Sequence, residues 1–206
     1  MAYNYKIRGE DEKMANVVSS FLEQYFYNTV EGYEKVEDRE RQLQGIDVIF
    51  FYNGKQYICD EKAAIRYVNK NLQTFAFELS FLGKGNRLLD GWLISETKKN
   101  NSFLCVWIDK ADSDILELVD DIKELEIALI DKQRLIEYLK EIGWTIGKLN
   151  KKAEKIRNNE KEYCGDINKH GCKFYCSRYL AEQPVNVIIS RSKLKEMSDY
   201  HKKFCI

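Results

Sequence analysis

The sequence predicts an α/β fold in a single domain spanning residues 1–206. Three observations carry that expectation. Apolar residues recur at helical spacing over 11–30, two strand-like runs flank Asn53-Gly54, and an apolar run followed by helical phasing appears twice, at 124–143 and 185–197. With 44% hydrophobic and 13% aromatic residues the chain can bury a core, which excludes a disordered polypeptide.

The elements follow in order. In DEKMANVVSSFLEQYFYNTV (11–30), Met14, Val17, Val18, Phe21, Leu22, Tyr25 and Phe26 mark one face of an amphipathic helix, with acids in its first turn. IDVIFFY (46–52) and KQYICDE (55–61) flank Asn53-Gly54, a dipeptide suited to the left-handed backbone of a tight hairpin turn. AAIRYVNKNL reads as a short helix or loop, and TFAFELSF (74–81) alternates as a strand should. GWLIS (91–95) and SFLCVWID (102–109), separated by polar ETKKNN, read as a second hairpin. The strand–helix units at 124–143 and 185–197 form a C-terminal elaboration, 113–206, on a core of residues 1–112. Between those units, residues 148–163 form a basic, helical segment.

The formal net charge of zero hides a split. Residues 148–206 hold 14 Lys and Arg against 7 Asp and Glu, whereas residues 1–147 hold 19 against 26. A basic C-terminal part suits an anionic partner. No apolar run is long enough for a membrane span, and MAYNYKIRGEDEK lacks the character of a signal peptide, so a cytoplasmic protein without membrane contact is expected.

The hairpin carries the chemistry. If Tyr52 faces Lys55 across a two-residue turn, Asp47 stands opposite Asp60, and Lys62 shares the Asp60 face. Glu61 points to the other face, with Tyr57 and Cys59. Like charges directly opposite each other cost a sheet roughly 0.2–1 kcal/mol, and more when buried. A divalent cation offsets that cost, since Mg2+ is a hard ion held by one or two carboxylates together with water and phosphate oxygens. Lys62 beside such an ion could hold a phosphate or help deprotonate a water, the equipment of metal-assisted phosphodiester hydrolysis.

The order of helix 11–30, Asp47 in GIDVIF, and Asp60-Glu61-Lys62 in ICDEKAA resembles the PD-(D/E)xK nuclease superfamily, over roughly residues 11–110. That resemblance implies a restriction-endonuclease-like core, a central mixed β-sheet flanked by helices. It further implies Mg2+- or Mn2+-dependent cleavage of nucleic acid, with DNA the expected polymer and endonucleolytic action the expected mode. Asp47 and Asp60 would be the metal ligands, and Lys62 would position or activate the water. Ile46 stands where the family's naming proline would be. Many members carry a Glu on the first helix; Asn16 occupies the matching region here, with Glu12 and Glu23 as substitutes. A module of the same fold that binds DNA or a protein partner without catalysis is therefore the alternative. Nucleases of this fold often pair, so a homodimer is a further expectation.

Secondary candidates surround this set. Gln44 could support a ligand or water, and Glu78, which interrupts TFAFELSF, could supply a third carboxylate or make a structural ion pair. Lys148, Lys151, Lys152, Lys155 and Arg157 are candidate nucleic-acid backbone contacts. CGDINKHGCKFYC gathers Cys164, His170, Cys172 and Cys176, residue types that suit a structural Zn2+, although no CxxC pair is present. Free or redox-paired thiols are the alternative there.

Overall fold

A computed structural model describes residues 2–158 and 170–206. In chain order the first elements are helix α1 (Ala2–Tyr25), strand β1 (Glu31–Lys35), helix α2 (Arg39–Leu43), and strands β2 (Val48–Tyr52) and β3 (Lys55–Ala63). Strands β4 (Thr74–Leu82), β5 (Leu88–Asp90), β6 (Ser102–Ala111) and β7 (Ile122–Asp131) come next. Helices α3 (Lys132–Glu141) and α4 (Ile146–Asn158), strands β8 (Cys172–Cys176) and β9 (Val185–Ser190), helix α5 (Arg191–Met197) and strand β10 (Tyr200–Cys205) complete the described chain. Among the described residues, no helix is long and apolar enough to cross a membrane.

Where the sequence suggests a seam near residue 112, the contacts divide the chain into two interleaved units. The first comprises 1–72, 100–130 and 198–206, and the second 73–99 and 131–197.

The first unit is built on a six-stranded sheet in the order β1-β2-β3-β6-β7-β10. It is mixed: β1, β2 and β3 run antiparallel to their neighbours, and β3 then pairs parallel with β6. Helix α1 brings Met14, Val18, Phe21 and Leu22 into a core with Val48, Phe50, Tyr57, Cys59, Leu104, Val106, Leu125, Ile127 and Leu129. These residues alternate along their strands, as one sheet face packed on a helix requires. Between β2 and β3, Asn53 (φ 50°) and Gly54 (φ 74°) both take the left-handed backbone of the expected tight turn.

The second unit carries a four-stranded sheet in the order β5-β4-β9-β8. Helices α3, α4 and α5 belong to it, and Leu149, Ala153 and Ile156 form the buried stripe of α4. Asp131 starts α3 by accepting a hydrogen bond from the Arg134 backbone N–H at 3.0 Å.

One sequence expectation is overturned here: residues 91–95 and 102–109 do not form a hairpin. Gly91–Ser95 is a turn in which Ile94 and Ser95 both donate to the Gly91 carbonyl. Gly91 also packs directly on the Glu78 backbone, where a Cβ would lie only 2.3 Å from the carbonyl oxygen. The β6 segment is buried without alternation from Ser102 to Ile108, which is the pattern of an interior strand with both faces covered. Four further strands, β1, β5, β8 and β10, were not foreseen, because EGYEK, LLD, CKFYC and YHKKFC are short or carry weak apolar patterns.

Candidate active site

The hairpin register runs from Tyr52↔Lys55 to Val48↔Cys59, where the ladder stops. Asp47 therefore lies one residue before β2. Its backbone N–H donates to the Cys59 carbonyl at 2.9 Å, and its Oδ2 accepts the Glu61 backbone N–H at 2.9 Å. This second bond turns the Asp47 carboxyl along the end of β3, beside Asp60.

Asp60 is only 2% exposed. Its Oδ1 lies 2.6 Å from the Lys62 Nζ, and its Oδ2 is buried with no hydrogen-bond donor in reach. A buried carboxylate oxygen left in that state costs free energy, because the water it gave up is not replaced. Asp47 shows the strain from the other side. Burial foremost, then the Asp60 charge, push its carboxyl up to about 7, against the opposing pull of Lys62.

A cavity of about 390 Å³ opens beside this pair. Asp47, Glu61 and Lys62 contribute to its wall, together with Asn16 and Ser19 from α1, Lys35 from β1 and Gln42 from α2. Glu61 thus joins the site that strand alternation seemed to remove it from. Its side chain does take the Tyr57 and Cys59 face, as expected, but at this end of β3 that face borders the cavity. Tyr27 donates its hydroxyl to the Glu61 Oε1, and Tyr27 in turn stacks on Tyr33 at 4.5 Å between ring centres. Burial raises the Glu61 carboxyl, and the Tyr27 bond and the Lys35 charge oppose that rise.

The other sequence candidates are placed elsewhere. Gln44 caps the C-terminus of α2 and is absent from the cavity wall; Gln42, two residues earlier, is the glutamine that lines it. Asn16 lines the wall from the position where a helix Glu was sought, whereas Glu23 is spent on Lys35 at 2.5 Å. Glu78 lies on β4 of the second unit, opposite Asn186, and does not line this cavity.

On α4, Arg157 is not a surface contact. Its guanidinium donates to the Gln183 carbonyl and to both oxygens of Ser80, inside the second unit. Lys148 reaches back to the Gly143 carbonyl at 3.1 Å, while Lys151 and Lys155 are exposed and Lys152 is half-buried.

The cysteine cluster is not assembled as the sequence suggests. Cys172 and Cys176 stand at opposite ends of β8, both buried. Four residues along a strand separate them by about 13 Å, far beyond two bonds of about 2.3 Å to a common Zn2+. The His170 carbonyl accepts the Tyr138 hydroxyl, and Cys164 lies outside the described residues. Among the described residues, no group of three or more His, Cys, Asp or Glu side chains is arranged to hold a metal.

Sequence reasoning missed Lys35, Gln42 and Ser19. The stretch 31–44 is polar throughout, so nothing in its periodicity marks which residues face inward. Only pairing β1 with β2, which sets Lys35 opposite Val48, brings that stretch to the site. No protein-family model matches the chain, and no curated protein or solved structure shows significant similarity to it.

Proposed function

We propose that the chain is a PD-(D/E)xK-type nuclease that hydrolyses phosphodiesters of nucleic acid, with DNA the expected polymer, on a restriction-endonuclease-like core. One observation carries the reading: Asp47 and Asp60 meet at the open end of the hairpin, and Asp60 keeps a buried oxygen that no donor satisfies. The mixed sheet, with the Asp and DEK strands adjacent and antiparallel, supports it.

The residues fit a divalent ion. Two hard carboxylates with one orphaned oxygen suit Mg2+ or Mn2+, which draw their remaining ligands from water and phosphate oxygens. When bound, such an ion would neutralise the phosphate oxygens and acidify a water. The chain's own residues prepare for that. The Glu61 N–H aims Asp47, and Lys62 holds Asp60 by one oxygen, leaving the other, a buried one, without a donor. Lys62 also lines the cavity, so an attacking water and a phosphate there would both lie beside it. The buried thiols Cys59 and Cys105, free in the structure, suit a reducing cytoplasm.

Asn16 favours a second reading. A neutral amide occupies the wall where a further acid would strengthen metal binding, which suits a module that grips nucleic acid without cutting it. Incubation of a plasmid with Mg2+ or Mn2+ separates the two. The nuclease reading expects cleavage that Asp60→Asn and Lys62→Ala each abolish. Cleavage that survives both substitutions overturns it. Intact DNA affinity with no Mn2+ bound by calorimetry favours the binding module.

A further inference from the structure

The geometry points to Lys35 as the residue that grips the nucleic-acid backbone at this cleft, by binding a phosphate next to the one met at Asp47 and Asp60. The inference rests on the nuclease reading for the identity of the ligand, and on the following geometry for the residue.

The cleft has a charge problem. Asp47 and Glu61 line it and Asp60 lies directly behind, so an incoming polyanion meets acids first. Lys62 and Lys35 are the two cations among the described lining residues. Lys62 is drawn inward by Asp60 at 2.6 Å. Lys35 lines the cavity with its side chain half exposed. In the β1–β2 ladder it is opposite Val48, and the next N–H, of Val36, donates to the Asp47 carbonyl at 2.8 Å. Its side chain therefore shares the sheet face of Val48, Cys59 and Glu61. Its charge also acts on Glu61 within the cavity.

Lys35 is held for exchange rather than locked. Its ammonium pairs with Glu23 at 2.5 Å, and the two side chains are 47% and 38% exposed. Exposed pairs of this kind are weak and easily replaced, so a phosphate can take the place of the Glu23 carboxylate. Asn16, Ser19 and Gln42 add neutral polar groups along the same wall, the residue types that accompany cations in sequence-independent backbone contacts. The basic helix α4, the candidate that sequence offered, is less equipped: Arg157 is consumed internally and Lys148 caps a helix end.

Fluorescence anisotropy of a labelled DNA duplex, titrated with the full chain across a series of NaCl concentrations in Ca2+, tests this without relying on turnover. Lys35→Ala should weaken binding about tenfold and reduce the slope of log affinity against log salt by about 0.9, the loss of one phosphate contact. Lys35→Arg should restore both. Glu23→Gln should tighten binding about two- to fivefold by freeing the ammonium. An unchanged slope in Lys35→Ala, a slope that falls instead in Lys151→Ala/Lys155→Ala, or no duplex binding by the wild-type chain each overturns the inference. Loss of cleavage in Asp60→Asn is scored separately. Cleaving wild type with a Lys35-independent slope sinks this inference and leaves the nuclease reading standing. A Lys35-dependent slope without cleavage does the reverse.

Discussion

Two clusters that look alike in sequence are treated in opposite ways by the fold. Asp47 and Asp60 are 13 positions apart, yet a tight turn folds them onto each other at the end of the β2–β3 hairpin. Cys172 and Cys176 are four positions apart, yet a single extended strand holds them about 13 Å from each other. Proximity in the chain is therefore a poor guide to a ligand set when the segment is a strand. Register across a turn is a better one, because opposite residues of antiparallel strands bring their Cβ atoms to about 4.5–5.5 Å.

The acid pair should break hardest. Calorimetry is expected to show Mn2+ binding to the wild-type chain, weakened by at least about 100-fold in Asp60→Asn. Wild-type affinity left intact by that substitution would mean that the pair is not the metal site, whatever else the cavity binds.

The raised Asp47 carboxyl gives the next effect. Burial and the Asp60 charge raise the folded-state Asp47 carboxyl to about 7, whereas an unfolded Asp titrates near about 3.9. A raised acid is a source of stability below its unfolded value, so that contribution is complete below about pH 4 and is lost as pH rises to about 7. Asp47→Asn removes the titration, so its advantage in urea denaturation over wild type should grow across that window and level off above it. A divalent ion added at pH 8 should recover the wild type and leave Asp47→Asn unmoved. In the double cycle of Asp47→Asn with Asp60→Asn, coupling of about 1–3 kcal/mol is expected at pH 8. A stability difference independent of pH would show that burial beside Asp60 does not raise the Asp47 carboxyl.

What could be read beforehand follows the same logic. The hairpin, the apolar face of α1 (which runs Ala2–Tyr25 rather than 11–30, so its acids are not in the first turn), and the strand–helix units at β7–α3 and β9–α5 were legible, because each depends on local periodicity or on the positive φ that Asn53 and Gly54 accept. The parallel pairing of β3 with β6 was not, since nothing in SFLCVWID states which distant strand it joins. At the site, strand alternation identified the face shared by Asp60 and Lys62 but misjudged Glu61. Alternation says which side of a sheet a residue takes, and not that a cavity borders the other side at the strand's end. Lys35 and Gln42 were out of reach, because EGYEKVEDRERQLQ has no apolar rhythm from which a face could be assigned.

Tyr27 offers a smaller test of that misjudgement. Tyr27→Phe removes the hydroxyl that satisfies Glu61 in its part-buried setting, with little change in shape. Leaving a buried acceptor short of its donor should cost about 1–3 kcal/mol in urea denaturation. Because the Tyr27 bond opposes the upward push of burial on Glu61, the variant should hold the Glu61 proton to higher pH. Glu61→Gln, which has no proton to hold, should make the Tyr27→Phe cost independent of pH. A cost unaffected by that background would place Tyr27 in the core alone, with no part in the cavity.

The smallest expected effect is a null, and it bears on the comparison most directly. Cys172 and Cys176 are each about 1% exposed and pack as small apolar groups within β8. Cys172→Ala and Cys176→Ala should each cost about 1 kcal/mol. Their effects should add to within about 0.5 kcal/mol, because side chains about 13 Å apart on one strand do not touch each other. A shared zinc would behave otherwise. Removing either ligand would release the ion, and the second substitution would then cost almost nothing, giving a coupling as large as either single effect. Additivity here, beside strong coupling between Asp47 and Asp60, would show that the turn at Asn53-Gly54 decides which residues can act together. Crowding along the sequence does not.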